Sequence, residues 1–504
     1  MDVSPSYDIG APTLKDIWVN PNSGDDAANG TSRANAVKSL NAAWNLIPDL
    51  LDGHGWRILL CPGSYAPPET GQILLENKRG SHACPILIKS VDGAQSVELP
   101  QLSFRRCCFV YLIDVKLSAQ GTTGVIPSEN IVLHYTWCED VLVRGVVAIG
   151  LNGPAGMPVL TLKANQTKRI YIEDSDISGA TGNAIDLVVV QYGHIVRNKL
   201  HDTLSECMYV KGGAAYILIA GNEMFGSKNH GIATGQGTGF QYLVPPWLHY
   251  EAYDIKVVNN IVHHCGGGLA VLGGYNILMA YNTCYHVGDN RDTIVIGPGG
   301  RGWNGPRPAN IDDYLKLGGW CHPQGGQNGV ESFNIPNRNV QICNNVIYNP
   351  DGFESRFAHI GLSGPVKTPP GSNLPPIVRS DDNLVLRGNV IWNGGSGKPL
   401  LDDVENEYHL AARPTADPAP ILANNKINTL RPELMDPERG DFRPVASGNL
   451  SRIEPVATPD FNWSDAPTQP PVPPGNPDNH VPLDRAGHSR KLNNCIGAYC
   501  LSKK

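Results

Sequence analysis

"IKVVNNIVHHC" (Ile255–Cys265) and, twenty-two residues on, "ILMAYNTCYHVG" (Ile277–Gly288) share one design. Each is a short alternating apolar strand, then Asn, then another apolar residue and a polar or aromatic turn. The design recurs in "IVRNKLHD", "ILIAGNEMFG", "VQICNNVIYNP" and "LVLRGNVIWNG", so the shared asparagines are Asn198, Asn222, Asn260, Asn282, Asn345 and Asn389. Their spacings are 24, 38, 22, 63 and 44 residues. A base period of 22 to 24 explains the short gaps, 44 is two periods, and 38 and 63 require insertions.

That period is too short for a propeller blade, and alternation with period two excludes amphipathic helices. The reading that remains is an all-β, right-handed, single-stranded parallel β-helix with about three short strands per coil. Inward side chains then stack into continuous apolar columns. The recurring Asn is expected to occupy a left-handed corner, which it tolerates, and to hydrogen-bond its equivalents above and below.

Composition agrees with a turn-rich β protein. Among 504 residues there are 55 Gly and 41 Pro, and 17% are charged. A net charge of −7 lacks the basic field of a general nucleic-acid binder. No apolar run approaches the ~20 residues that span a bilayer. The twelve cysteines show no zinc-like CxxC pair, which leaves several disulfides in an oxidising compartment as the expectation. Sequons at Asn29, Asn165, Asn449 and Asn462 fit a secreted glycoprotein. "MDVSPSYDIG" has no apolar leader core, which reads as a leader already removed, with an extracellular or cell-surface location.

The ends complete the organisation. Residues 1–60 read as a strand, a Gly/Asn/Asp loop and an α-helix from Ala36 to Ile47 that caps the column. Asp25 and Asp26 there suit turn capping. Residues 61–450 read as coils with long loop insertions at 227–254 and 287–332, and 451–504 as a C-terminal segment whose Pro-rich part (459–482) straps the outside. The V-x-x-x-G-x-D loop, the P-G-x-Y turn at "LLCPGSYAP" and the ending "PLDRAGHSRKLNNCIGAYC" resemble the caps of secreted parallel β-helix repeat proteins of the pectate-lyase-like superfamily.

Long insertions in a repeat protein are usually functional. These two carry Trp247, Trp303, Trp320, Tyr242, Tyr250 and Tyr314, rings of the kind on which sugar faces stack. His249, Tyr250, Trp247, Trp303, Arg291, Gln236 and Lys163 are the expected substrate-binding groups, and a polysaccharide the expected partner. Aligning "PVLTLKA", "NAIDLVV" and "CMYVKGG" turns Lys163, Asp186 and Lys211 outward in one column, while Leu162, Leu187 and Val210 face in. The next coil, "NHGIATGQG", adds His230, Thr234 and Gln236, and Glu206 begins the Lys211 strand.

A cation, a carboxylate and a histidine can serve β-elimination on a uronate polymer, with Lys211 as base. Alternatively, paired carboxylates (Glu206 with Asp186, or Asp292 with Glu251) can hydrolyse a glycosidic bond. A third reading is a non-catalytic β-helix that binds glycans or self-associates. "SECMYVKGGAAYILIAGNEMFGSKNHGIATGQG" resembles the catalytic coil of polysaccharide lyase family six, the chondroitinase B and alginate lyases. The resemblance implies Lys211 as base and Glu206 as a calcium ligand. Thr234 stands near where that family places an arginine.

Overall fold

A computed structural model describes residues 5–68, 71–118, 131–150, 160–245, 249–303, 306–316, 319–320, 335–353, 355–368, 373–394, 397–402, 418–461, 475–492 and 495–501. The chain is a right-handed parallel β-helix that divides into two compact units, Pro5–Ser205 and Glu206–Lys504. Each unit is built from three parallel sheets.

In Pro5–Ser205 the first sheet runs from Leu14–Val19 through Gly55–Leu60 to Gln191–Val196, and the second from Ile73–Glu76 to Ile185–Val188. The third ends on Lys199–Thr203. The cap helix is shorter than expected, Leu40–Asn45 rather than Ala36–Ile47. Val37 is held back by its N–H bond to the carbonyl of Trp18, and the chain turns helical only where Ser39 accepts the N–H of Ala42. Asp26 accepts the N–H groups of Lys38 and Ser39, and Asp25 that of Ala27, so both acids cap, as their sequence suggests. Leu40, Ala43 and Trp44 are the buried face.

Glu173 is the notable charge of this unit, fully buried on the outside of the first sheet. Burial alone would raise its pKa. Hydrogen bonds from His194 (2.6 Å), the Tyr7 N–H (2.6 Å) and Arg144 (2.8 Å) outweigh it and hold the carboxyl down at about 2. A depressed acid contributes stability above its unfolded pKa that is lost as pH falls through the folded one. The unit should therefore lose ~3 kcal/mol from this group between pH 4.5 and 2. Acid titrations of Glu173→Gln, followed by hydrogen exchange within residues 5–205, should lack that component.

In Glu206–Lys504 the first sheet comprises Ala214–Ala220, Ala252–Val258, Gly274–Ala280, Arg338–Cys343 and Val385–Arg387. The second holds Met208–Lys211, His230–Gly235, Gly267–Leu272, Ile294–Gly297, Ile360–Leu362 and Leu401–Asp402. The register sets Ile217, Ile255, Ile277 and Val340 in one file, and Ile219, Val257, Met279 and Ile342 in the next, essentially all excluded from water. Burying each such side chain is worth about 2 kcal/mol.

The asparagine ladder is present. Asn222, Asn260, Asn282, Asn345 and Asn389 each pass an Nδ2–H to the Oδ1 of the next rung, ending on Asn425, at 2.8–3.0 Å. From Asn260 to Asn425 each Oδ1 also accepts the backbone N–H of the rung before, at 2.9–3.0 Å. Asn198, in the other unit, serves Ser175 in the same way. The corner conformation, however, belongs to the residue before the ladder. Gly221, Asn259, Tyr281, Asn344 and Gly388 take the left-handed φ of 57° to 70°, and the ladder asparagines do not. Even Tyr281 accepts it, with the Arg490 guanidinium 3.9 Å from its ring.

The expectation of several disulfides is corrected. Among the described residues one is formed, Cys495–Cys500, and nine cysteines are free. Most of those nine point into the coil stack, where thiols donate to backbone carbonyls, as Cys107 does to Leu75 and Cys138 to Phe104, both at 3.5 Å. They serve as small apolar fillers. Asn165 is likewise buried, with Nδ2 3.2 Å from His134 Nε2, and is closed to a glycan in the folded chain. Among the described residues no helix is long and apolar enough to cross a membrane.

Candidate functional site

Alternation in Met208–Lys211 buries Met208 and Val210 and turns Tyr209 and Lys211 outward. The neighbouring strand pairs Val210 with Thr234, so Lys211 lies level with Gly235. Gly235 has φ +82°, and a Cβ there would sit 1.9 Å from the carbonyl oxygen of Leu272. Only glycine fits. The turn it permits brings Gln236 back beside Lys211, and Lys211 Nζ donates to Gln236 Oε1 at 2.8 Å. Nζ also lies 4.3 Å from the centroid of the Tyr209 ring. Among the described residues no carboxylate pairs with this ammonium.

Beneath the pair lies Glu251, expected from the sequence only as a carboxylate partner of Asp292, joined instead to Arg301, which the sequence reading passed over. Glu251 and Arg301 are both removed from solvent, with Arg301 Nε donating to Glu251 Oε1 at 2.9 Å. Arg301 also donates to Tyr314 Oη (3.0 Å) and the Tyr250 carbonyl (3.2 Å). Burial works against its charge, but Tyr314 and Glu251 more than restore it and push its pKa up. The other oxygen, Glu251 Oε2, accepts the N–H of Gly212 (3.0 Å) and the hydroxyl of Thr238 (2.6 Å). Room for the pair comes from glycine: a Cβ on Gly299 would stand 2.8 Å from Glu251 Cγ. The glycine-dense "IGPGGRG" around Arg301 was the available signal.

The structure separates residues that the sequence reading grouped. Glu206 and His230 are neighbours, Oε1 to Nδ1 at 3.9 Å, and both are buried. They sit at the start of the strands whose ends carry Lys211 and Gln236, roughly 15 Å of near-extended chain away. Thr234 faces into the column between Val210 and Val271, and offers nothing to the outer face. Lys163 and Asp186 are in register in Pro5–Ser205, with Nζ 3.7 Å from Oδ2, as the strand alignment requires.

The insertions are shorter than read. Within 227–254, His230–Gly235 is a sheet strand, and the excursion begins at Gly237–Gly239, which pairs with Gly300–Gly302. Within 287–332, Ile294–Gly297 is likewise a strand. Tyr250 is buried against Tyr275 and Trp320. His249 packs on Trp320 at 4.9 Å, and burial together with the Arg301 charge pushes its pKa down to about 4, leaving it neutral at pH 7. Trp303 is half-buried and Arg291 exposed. Trp247 lies outside the described residues.

Among the described residues no three His, Cys, Asp or Glu side chains converge as a metal site, and Glu206 has His230 rather than further carboxylates beside it. A hard cation takes six to eight oxygens.

No protein-family model matches the chain, and no curated protein matches it in sequence. Solved structures do match in shape. XylC in complex with xylose shares 10% identity over 97% of this chain and 99% of that one, with a TM-score of 0.50. The A-module of mannuronan C-5 epimerase AlgE4 from Azotobacter vinelandii shares 12% identity over 70% of this chain and 90% of that one, with a TM-score of 0.41. A rhamnogalacturonan lyase shares 12% over 71% and 86%, with a TM-score of 0.38. At these identities the likeness is one of fold.

Proposed function

We propose that this β-helix acts on carbohydrate outside the cell, cleaving a uronate-containing polysaccharide by β-elimination with Lys211 as the base. The observation that carries the reading is the Lys211 amine itself. It stands on the outer face of a parallel sheet, oriented by a neutral amide and a ring, with no carboxylate to bind it among the described residues. In the reaction the neutral amine takes the proton at C5 of the uronate. The electron pair left behind forms the C4=C5 double bond, the C4–O4 bond breaks, and the departing oxygen takes up a proton. Gln236 holds Nζ in line through the same amide oxygen. Glu206 and His230 are too distant for that transfer, so no step is assigned to them. No step is routed through calcium.

A hydrolase reading is weaker, because Glu251 is engaged by Arg301 and Asp186 faces Lys163. A binding reading has one observation in its favour: ring and amide oxygen both attract the ammonium form of Lys211, which suits holding a uronate carboxylate. Self-association of the β-helix without a glycan would be a third role. The test is incubation with alginate, pectate, chondroitin and ulvan, with and without a chelator. Rising ultraviolet absorbance of the unsaturated uronate, unaffected by the chelator, supports the lyase. Retention on a polymer column without that product supports binding alone, and neither result leaves self-association to be sought by light scattering.

A further inference from the structure

We propose that Glu251 is the positioning residue of the Lys211 site, a role that rests on the lyase reading for its use but not for its geometry. One carboxylate with no exposure holds both halves of the pair. Through Oε2 it accepts the N–H of Gly212, the residue after Lys211, and the hydroxyl of Thr238, two residues after Gln236. Through its own carbonyl it accepts the N–H of Gly213. Oε1 is fixed by Arg301, whose far side is tied to Tyr314, and Tyr314 Oη donates in turn to the Trp320 carbonyl at 2.8 Å. The Lys211–Gln236 distance is therefore set by a buried ion pair anchored in both excursions. A change in the packing of Tyr314 or Trp320 reaches the amine through two hydrogen-bonded side chains.

The geometry also explains why a side chain that only accepts hydrogen bonds stands here. Three donors converge on it (a guanidinium, a hydroxyl and a backbone N–H), and a neutral amide in its place would turn one N–H towards a donor. Glu251→Gln thus removes the constraint without removing bulk. Thr238→Val removes only the hydroxyl and leaves the ion pair whole.

The measurement is the pH dependence of acetic-anhydride labelling at Lys211 in the full chain, read by peptide mass spectrometry against the chain's other lysines. Release of the hydrogen bond to Gln236 is expected to raise the Lys211 labelling rate roughly fivefold in Glu251→Gln and by a smaller factor in Thr238→Val. The rates at exposed Lys228 and Lys316 should not change. Where lyase activity is found, both variants should lower kcat more than they raise KM. Labelling at Lys211 equal to wild type in both variants overturns the proposal. If Glu251→Gln does not fold, Thr238→Val decides alone. If the wild type shows no lyase activity, the functional reading fails while the labelling still decides the role of Glu251.

Discussion

Replacing Asn282 with alanine will destabilise the Glu206–Lys504 unit by about 4 kcal/mol, because two buried main-chain groups lose their partners at once. Asn282 Oδ1 accepts the N–H of Asn260 at 3.0 Å, and its Nδ2 donates to the carbonyl of Val257 at 2.9 Å. Neither group can turn to water, since Asn260, Val257 and Asn282 are all fully buried. The side chain also links the rung below to the rung above, through Nδ2 bonds of 3.0 Å on either side. Chemical denaturation followed by hydrogen exchange should show the loss concentrated in residues 255–282 and 340–346. A change below 1 kcal/mol would mean that the ladder decorates the stack and does not hold it.

Asp254→Asn should do the opposite, with a gain that grows as pH rises above 4 and is complete above 7. Asp254 is buried under the C-terminal segment, where a Cβ at Gly475 would fall 1.7 Å from its Oδ2. Burial raises its pKa from the ordinary 3.8 to about 7, with nearby Lys256 pulling the other way. Lys256 itself is occupied with the carbonyls of Asn476 and Asp478. A raised acid contributes stability that is complete below its unfolded pKa and is lost as pH rises through the folded one. Between pH 3.8 and 7 the wild type should therefore lose about 4 kcal/mol from this site and then level off. Asp254→Asn removes the dependence, so it should match the wild type at pH 4 and exceed it at pH 8. Urea melts at the two values check this directly, and equal gains at both would show that the effect is not titration. The Glu173 component has the reverse sign, lies in a lower window and belongs to the other unit, so the two do not mask each other.

The features that could be read from the chain are those fixed by local rules. Alternation with period two gives the inward files, but the register that sets Lys211 level with Gly235 comes from the strand pairing, which turns Thr234 inward rather than out beside Lys211. The ladder followed from the same repetition, although its last rung, Asn425, stands in "ANNKINTL", where the strand pattern has thinned. The left-handed corner was assigned to the wrong residue. Asn suits it, but each ladder asparagine is committed to its neighbours, and the bend falls one place earlier even when that residue is Tyr281.

The site was half legible for a related reason. Proximity in sequence made Glu206 and Lys211 look like partners, yet an extended strand carries its ends apart. Contacts across strands and loops decide instead. Glu251 and Arg301 meet over fifty residues of chain, through glycines whose role is only to leave space. Twelve cysteines without a zinc-like CxxC pair suggested disulfides, whereas the stack buries most of those described as thiols.

The most direct test of the central claim is product analysis with Lys211→Ala and Lys211→Arg beside the wild type, on whichever uronate polymer the panel selects. Mass spectrometry should find wild-type fragments lighter by one water than hydrolysis products, with a conjugated double bond at the new non-reducing end. Both variants should lose turnover by more than a hundredfold while still binding the polymer, since removing a general base costs about 10²–10⁴ in rate. Unsaturated product formed at the wild-type rate by Lys211→Ala would contradict the account.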